Sequence, residues 1–217
     1  MSNPRPLLLA LPLALLALPL AAQQMQMPKQ VPGKLDKTRV AAGIYKLDSN
    51  HTLIGWRVDH LGFSDYFGVF GDSTGSLTLD PKNPATAKVE VTIPVAKVLT
   101  ASPGLNAHLL RPGKDGGKPD FFGPSPADAR FVSIKVTPGK DLISASILGN
   151  LTLNGQTHPV TIAARFKGAG TAPFGGKATV GFQGKANILR SQWGIAAGIP
   201  LVSDKVELDI SAPFEKQ

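Results

Sequence analysis

Cysteine is absent from the 217 residues of this chain. Its absence excludes disulfide bonds, zinc–thiolate and iron–sulfur sites, and a cysteine nucleophile. Methionine is scarce, because Met1, Met25 and Met27 are the whole set and the segment 43–217 contains none. Met25 and Met27 could ligate a soft ion such as Cu(I), but two methionines in a glutamine-rich stretch favour incidental composition. We therefore predict neither a metal ion nor a cofactor.

The usual catalytic motifs are missing as well. The glycine-rich run 113–118 lacks the spacing and the hydroxyl residue of a phosphate-binding loop. The Gly-x-Ser-x-Gly match at 71–75 lies inside the predicted strand 67–79 and not at the strand-to-helix turn that a nucleophilic serine of this motif needs. His51 and His60 fall on one predicted strand and would lie about 30 Å apart at about 3.3 Å per residue, too far to share a metal ion. The neighbours Asp59 and His60 point to opposite faces of that strand and cannot pair. We predict that the protein is not an enzyme.

Acidic residues are fewer than basic ones: the chain has 15 Asp and Glu and 23 Lys and Arg, so the net charge is +8. The basic residues are nevertheless scattered and form no block of the kind that nucleic-acid-binding proteins carry. We predict no nucleic-acid partner, and a transient attraction to anionic membrane surfaces. Hydrophobic residues at 42% and charged residues at 18% are enough for a packed core.

The N-terminal residues 1–22 have the layout of a secretory signal peptide. Arg5 precedes the Leu/Ala-rich run 7–20, and two alanines follow it. The run is shorter than the roughly 20 apolar residues of a membrane-spanning helix, so cleavage is favoured over a retained anchor. The segment 23–42 is polar, basic and proline-containing, which predicts a flexible leader. We predict one folded domain over 43–217.

Apolar and polar residues alternate from Gly43 onward, and Gly, Pro, Asn and Asp interrupt the alternation about every ten residues. This pattern is typical of antiparallel β-structure. Asn154-Gly155 between two alternating stretches predicts a tight hairpin. The candidate strands are 51–60, 67–79, 87–97, 129–137, 143–153, 157–168, 176–189 and 204–212.

The fold class that we predict is all-β, with eight antiparallel strands closed into an extended barrel. Strands that follow one another through short turns can close in this way, which removes sheet edges and can enclose a small ligand. A sandwich would show the same alternation. The region 98–126 breaks the pattern and predicts a long connection with a short helical segment over 104–110.

Two features of the sequence suggest a ligand. Phe121 and Phe122 are adjacent aromatics in a Gly/Pro-rich loop, and one of them could close a barrel mouth. Arg190 shares a strand face with Ala186 and Ile188, so it could point into the cavity at its rim and bind a phosphate. An ion pair between Arg190 and an acid such as Asp204 is the alternative.

The sequence also resembles the YceI-like family over about 44–214. The resemblance depends on the order of many short motifs rather than on any one of them. The chain departs from the family pattern at Asn106-Ala107, which precede His108, and at 111–119, which has the character of an insertion. The motifs are Tyr45-x-Leu-Asp48-x-x-His51, Trp56-x-Val58-x-His60-x-Gly62, Gly68-x-Phe70, Gly75-x-Leu77-x-Leu79-Asp80, His108-Leu109, Asp120-Phe121-Phe122, Gly149-x-Leu151-Thr152-Leu153, Arg190-Ser191-x-Trp193-Gly194 and Val202-Ser203-Asp204.

The resemblance implies a periplasmic, lipocalin-like barrel that carries a polyisoprenoid, a quinone-like lipid or a fatty-acyl lipid, with a link to stress responses. A homodimer is a further prediction, which does not depend on the resemblance. With the resemblance, we predict a polar ligand head at the rim, near His51, His108 or Arg190. The predicted ligand-binding residues of the tunnel wall are Trp56, Val58, Phe67, Phe70, Phe121, Phe122, Phe182 and Trp193.

Three other functions are compatible with the sequence. One is an enzyme that acts on a lipid or a cell-envelope substrate. Another is a redox partner that carries haem or quinone. The third is a structural or adhesive surface protein whose barrel is solid.

Overall fold

The computed structural model describes residues 28–217. The predicted signal peptide, and Met25 and Met27 of the predicted leader, lie outside the described residues. Within the described residues, eleven strands and one α-helix follow one another. They are β1 (Gly43–Leu47), β2 (Leu53–His60), β3 (Ser64–Phe70), β4 (Thr74–Leu79), β5 (Lys88–Ile93), β6 (Val98–Leu99), α1 (Pro103–Leu109), β7 (Ala129–Pro138), β8 (Ser144–Leu153), β9 (Gln156–Thr171), β10 (Ala178–Leu189) and β11 (Lys205–Lys216).

The strands form a closed antiparallel barrel. Its hydrogen-bonded order is β1, β4, β5, β7, β8, β9, β10 and β11, and β11 pairs back onto β1. Eight strands enclose an interior wide enough for side chains or for one small ligand. The predicted all-β, eight-stranded barrel with a short helix in a long connection is therefore confirmed.

Some of the eight positions are occupied by two strands in line. β11 pairs with β2 through Ser211 and Leu53 and, farther along, with β1 through Phe214 and Leu47. β3 and β4 continue one another in the same way beside β2 and β1. The predicted strand 67–79 is thus two strands, separated at 71–73 where the chain bends, and β1 is a strand that the prediction missed.

The two ends of the barrel are distinguished by the connections that they carry. We call the end with the β2–β3, β8–β9 and β10–β11 connections the upper end, and the end with the β4–β5, β7–β8 and β9–β10 connections the lower end. Helix α1 belongs to the upper end and was predicted at nearly this place. Its first turn is capped by Ser102, whose hydroxyl accepts a hydrogen bond from Leu105 N at 3.3 Å.

The core has two clusters, one toward each end. The upper cluster contains Val95, Phe131, Val160 and Ile188 around the fully buried Trp193. The lower cluster consists of Tyr45, Leu47, Leu77, Phe166, Ala169, Val180 and Phe214. Inward and outward residues alternate along each strand, which is why the alternation in the sequence predicted these elements.

The segment before β1 is bound to the barrel, which corrects the predicted flexible leader for its second half. Lys34 forms an antiparallel bridge with Ala169 on β9, with N–O distances of 3.0 and 2.9 Å. Arg39 donates to the carbonyls of Pro32 at 3.0 Å and Ala169 at 3.1 Å. The partner of this segment lies 130 residues away in sequence, so local composition could not reveal it.

Candidate functional site

A cavity of about 730 Å³ occupies the inside of the barrel. This volume falls within the range of about 300–1,000 Å³ of small-molecule sites. Its wall is almost entirely apolar, and aliphatic side chains from many strands contribute to it. Among them are Ile54, Leu77, Val91, Ile147, Ile162 and Ile210.

Small residues on three neighbouring strands make the room for this cavity. Ala145, Ala164 and Gly184 are direct cross-strand partners on β8, β9 and β10, and all three line the cavity. Side chains that are directly opposite in a sheet sit within about 5.5 Å of each other. A row without long side chains therefore leaves the interior open where larger residues would fill it.

The cavity opens at the lower end. Toward the upper end its wall includes Val95, Val160 and Ile188, which are 1%, 6% and 9% exposed, and it reaches Leu153 beside the β8–β9 turn. Exposed lining residues occur at the other end, on the docked leader, the β4–β5 connection and the β7–β8 turn. On these segments they are Lys37, Thr38, Pro81, Lys82 and Leu142, and Gln183 on β10 is a further exposed lining residue.

Two of the eight residues predicted for the tunnel wall line this cavity, namely Phe70 and Phe182. Trp56, Val58, Phe122 and Trp193 instead pack in or against the upper cluster. Trp56 lies over Gly68 of the neighbouring strand, where an added Cβ would meet the indole at 2.1 Å. An aromatic ring that covers a cross-strand glycine in this way stabilises the sheet and stays out of the cavity.

The remaining two predicted wall residues do not line the cavity. Phe67 is 61% exposed, because it lies three positions from Phe70 on β3 and therefore points to the opposite face of the sheet. The Phe121 ring stands edge-on to His108 with 5.1 Å between ring centroids. The adjacent Phe122 packs on Phe70 at 6.0 Å. The pair thus supports the upper end and does not cover a mouth.

Arg190 was expected to reach the cavity rim, and this placement is wrong. It is 5% exposed, and its guanidinium donates to the backbone carbonyls of Ser203, Ile195 and Val202, each at 2.9 Å. Burial lowers the pKa of Arg190. The expected alternative, a pair with Asp204, is not formed through the side chains either, since that carboxylate accepts from Ser191 N at 2.8 Å and Ser191 Oγ at 2.6 Å.

The two histidines predicted at the rim also lie away from the cavity. His51 Nδ1 is 2.7 Å from Asp48 Oδ2, and its side chain is 76% exposed. His108 Nε2 is 2.8 Å from Asp120 Oδ2, which Arg111 approaches at 2.6 Å. Hydrogen bonds from Arg111 and then His108 lower the pKa of Asp120. The structure therefore does not bring the three predicted head-group residues together.

The charged residues that do line the cavity were missed. Lys37 lies in the 3-10 turn Lys37–Arg39 of the leader, and Lys82 in the β4–β5 connection. The sequence offered one signal for the first, because Asp36 and Thr38 have the spacing of a local cap. Thr38 N and Oγ1 donate to Asp36 Oδ1 at 2.9 and 2.6 Å. The Thr38 hydrogen bonds lower the pKa of Asp36.

A smaller cleft of about 300 Å³ lies beside Trp193. It forms where β9 and β10 separate above their last paired residues, Ala163 and Lys185. Val160 and Ile188 line both this cleft and the cavity. These two side chains form the wall between them.

Metal-binding clusters and membrane-spanning helices are both absent from residues 28–217. In that range no three His, Asp or Glu side chains come close enough together to hold a metal ion. Across the same described residues, no helix has the length and apolar character needed to span a membrane.

Known proteins resemble this chain in sequence. The profile of the YceI-like domain matches residues 45–214. A UPF0312 protein of Pseudomonas paraeruginosa is 42% identical over 180 residues, which make up 81% of this chain and 88% of that protein. Protein YceI of Escherichia coli O157:H7 is 37% identical over 179 residues, with the same two shares.

Solved structures share the fold. Burkholderia cenocepacia BcnA superimposes with a TM-score of 0.63 at 22% identity, covering 75% of this chain and 95% of that one. A polyisoprenoid-binding domain from Saccharophagus degradans superimposes with a TM-score of 0.55 at 11% identity, covering 82% of this chain and all of that one. With the sequence match over most of its length, the chain belongs to the YceI-like family.

Proposed function

We propose that the protein is a carrier that holds one long apolar chain inside its barrel. The observation that supports this most directly is the cavity of about 730 Å³ with an almost wholly apolar wall. The fold neighbour from Saccharophagus degradans is described as a polyisoprenoid-binding domain, so an isoprenoid is our first candidate, ahead of a quinone-like or fatty-acyl lipid.

The binding energy comes from removing the chain from water. Each buried CH₂ contributes about 0.8 kcal/mol, so about ten methylenes would contribute about 8 kcal/mol before the cost of association is subtracted. A flexible chain can follow the elongated space between Val95 and Leu142. Polar contacts with most of the chain are unnecessary, which fits the scarcity of polar groups in the wall.

Carrier function needs no reaction at the site, and the histidine–carboxylate pairs of His51 and His108 are on the surface away from the cavity. Location in the periplasm, cleavage of a signal peptide, contact with a membrane surface and formation of a homodimer stay predictions. Each is compatible with a protein that moves a lipid through water.

The test starts with the lipid that the protein carries. The purified protein is extracted with organic solvent and the extract analysed by mass spectrometry, and displacement of a neutral fluorescent probe measures the affinity for added lipids. A stoichiometric prenyl or acyl compound is the expected result. Absence of any bound lipid, together with no binding of added ones, would contradict the proposal.

A matched pair of variants ties binding to the cavity. Ala164 lines the cavity, whereas the next residue, Ala163, is exposed on the outer face of the same strand. We expect Ala164→Phe to fill the cavity and to lower affinity at least tenfold, while Ala163→Phe leaves it unchanged. Ala186→Phe, which also places a ring in the cavity, replaces the first variant if that one does not fold. Equal affinities in all variants would place the ligand elsewhere.

A further inference from the structure

The charge of the cavity wall is confined to its open end. Among the described lining residues, Lys37 and Lys82 are the two that carry charge, and both are basic. They come from different segments, the docked leader and the β4–β5 connection, which meet at the lower end. Neither lysine has a carboxylate oxygen within 4.0 Å in the described part of the chain.

The backbone holds both lysines in place. The turn that carries Lys37 is capped by Asp36 and is fixed on β9 through Lys34 and Arg39. The turn that carries Lys82 is fixed by Asp80, whose carboxylate accepts from Lys82 N at 2.9 Å. The carboxylates of these two turns accept backbone N–H groups, and both ammonium groups are left without an acidic partner.

We infer that the bound amphiphile has an anionic head, a phosphate or a carboxylate, which Lys37 and Lys82 bind at the lower end. This inference rests on the proposed carrier function and names the class of its ligand. An ammonium group is a compact charge that binds phosphate and carboxylate oxygens. The apolar tail then extends upward toward Val160 and Ile188, where the wall offers no charge.

Head-group charge is tested with probes that share one tail. Hexadecyl phosphate, hexadecanoate, hexadecan-1-ol and hexadecyltrimethylammonium each compete with a neutral fluorescent probe for the purified protein. We expect the two anions to bind about tenfold more tightly than the alcohol, and the cation more weakly. The preference should shrink between about 0.01 M and about 0.15 M salt, because the screening length falls from about 30 Å to about 8 Å. Tighter binding of either anion shows which head the site prefers.

Variants assign the effect to these two lysines. The double variant Lys37→Gln/Lys82→Gln should lose the preference for anions and keep its affinity for the alcohol. The control Lys140→Gln/Lys167→Gln changes the net charge equally, and its two exposed lysines do not line the cavity. Equal binding of anions and alcohol by the wild type, or an equal loss in the control variant, overturns the inference and leaves carrier function standing. Failure of all four probes to bind overturns both.

The direction of the tail has its own readout. The two tryptophans of the chain, Trp56 and Trp193, both belong to the upper end. Hexadecanoate with bromine on its terminal carbon should therefore quench tryptophan fluorescence, and hexadecanoate with bromine beside the carboxylate should not. The reverse result would place the head at the upper end and overturn the inference.

Discussion

The upper and lower ends of the barrel are built from the same strands but differ in how their side chains pack. At the upper end Trp193 and Phe122 pack with the upper cluster, and Arg190 fixes the β10–β11 connection through three carbonyls. At the lower end small residues and a docked leader surround an open cavity. The difference indicates that the upper end contributes more to stability, and it fits our proposal that a ligand enters at the lower end.

The largest expected effect is at the upper end. Trp193 is fully buried, its indole N–H donates to Leu151 O at 3.2 Å, and its ring meets His158 edge-on. Trp193→Ala should therefore lower the free energy of unfolding by about 3–5 kcal/mol, measured by denaturant titration. Phe63 is 90% exposed, and Phe63→Ala should change the free energy of unfolding by less than about 0.5 kcal/mol. Similar losses in both variants would contradict a solid upper end.

A smaller loss of stability is expected when the guanidinium of Arg190 is replaced. A lysine cannot reach three carbonyls in different directions, so Arg190→Lys should lower the free energy of unfolding by about 2–3 kcal/mol. Affinity of the folded variant for hexadecyl phosphate should not change, since Arg190 does not line the cavity. As a control, Arg130→Lys affects an exposed ion pair with Glu90 and should lower the free energy of unfolding by less than about 1 kcal/mol. Weaker phosphate binding by Arg190→Lys would restore the role predicted from the sequence.

The smallest effect on stability is expected at the lower end. A Cβ on Gly170 would meet Pro32 O at 2.3 Å, so Gly170→Ala should displace the leader at a cost of about 1 kcal/mol. Trypsin should then cut severalfold faster after Lys34. On the neighbouring strand an added Cβ at Gly181 meets nothing closer than 3.8 Å, and Gly181→Ala should leave the rate unchanged. Equal cleavage of both variants would mean that the leader does not depend on this contact.

The sequence predicted the strands well, because alternation reports which side chains point inward. It could not separate the inward residues that line a cavity from those that fill a solid end. Val58 and Phe182 both point inward on their strands, yet only Phe182 lines the cavity. Phe67 is a different case, because its position relative to Phe70 already places it on the outer face.

The site was harder to predict than the fold, because it depends on contacts between distant residues. Lys37 reaches the cavity only because its segment binds β9 at Ala169. The row of Ala145, Ala164 and Gly184 becomes a gap in the packing only once three strands are aligned. Arg190 was placed by extending the alternation of β10, which ends at Leu189.

The closure of the barrel by β11 has a consequence for how the protein folds. Tyr45 near the start of the domain pairs with Lys216 near the end of the chain, so the ring cannot close before the last residues are available. Contacts of such long range make folding slow. Until β11 is in place, β10 on one side and β1 with β2 on the other side present unpaired strand edges, which can pair with other chains. The final strand therefore sets how long a newly made chain is prone to aggregation.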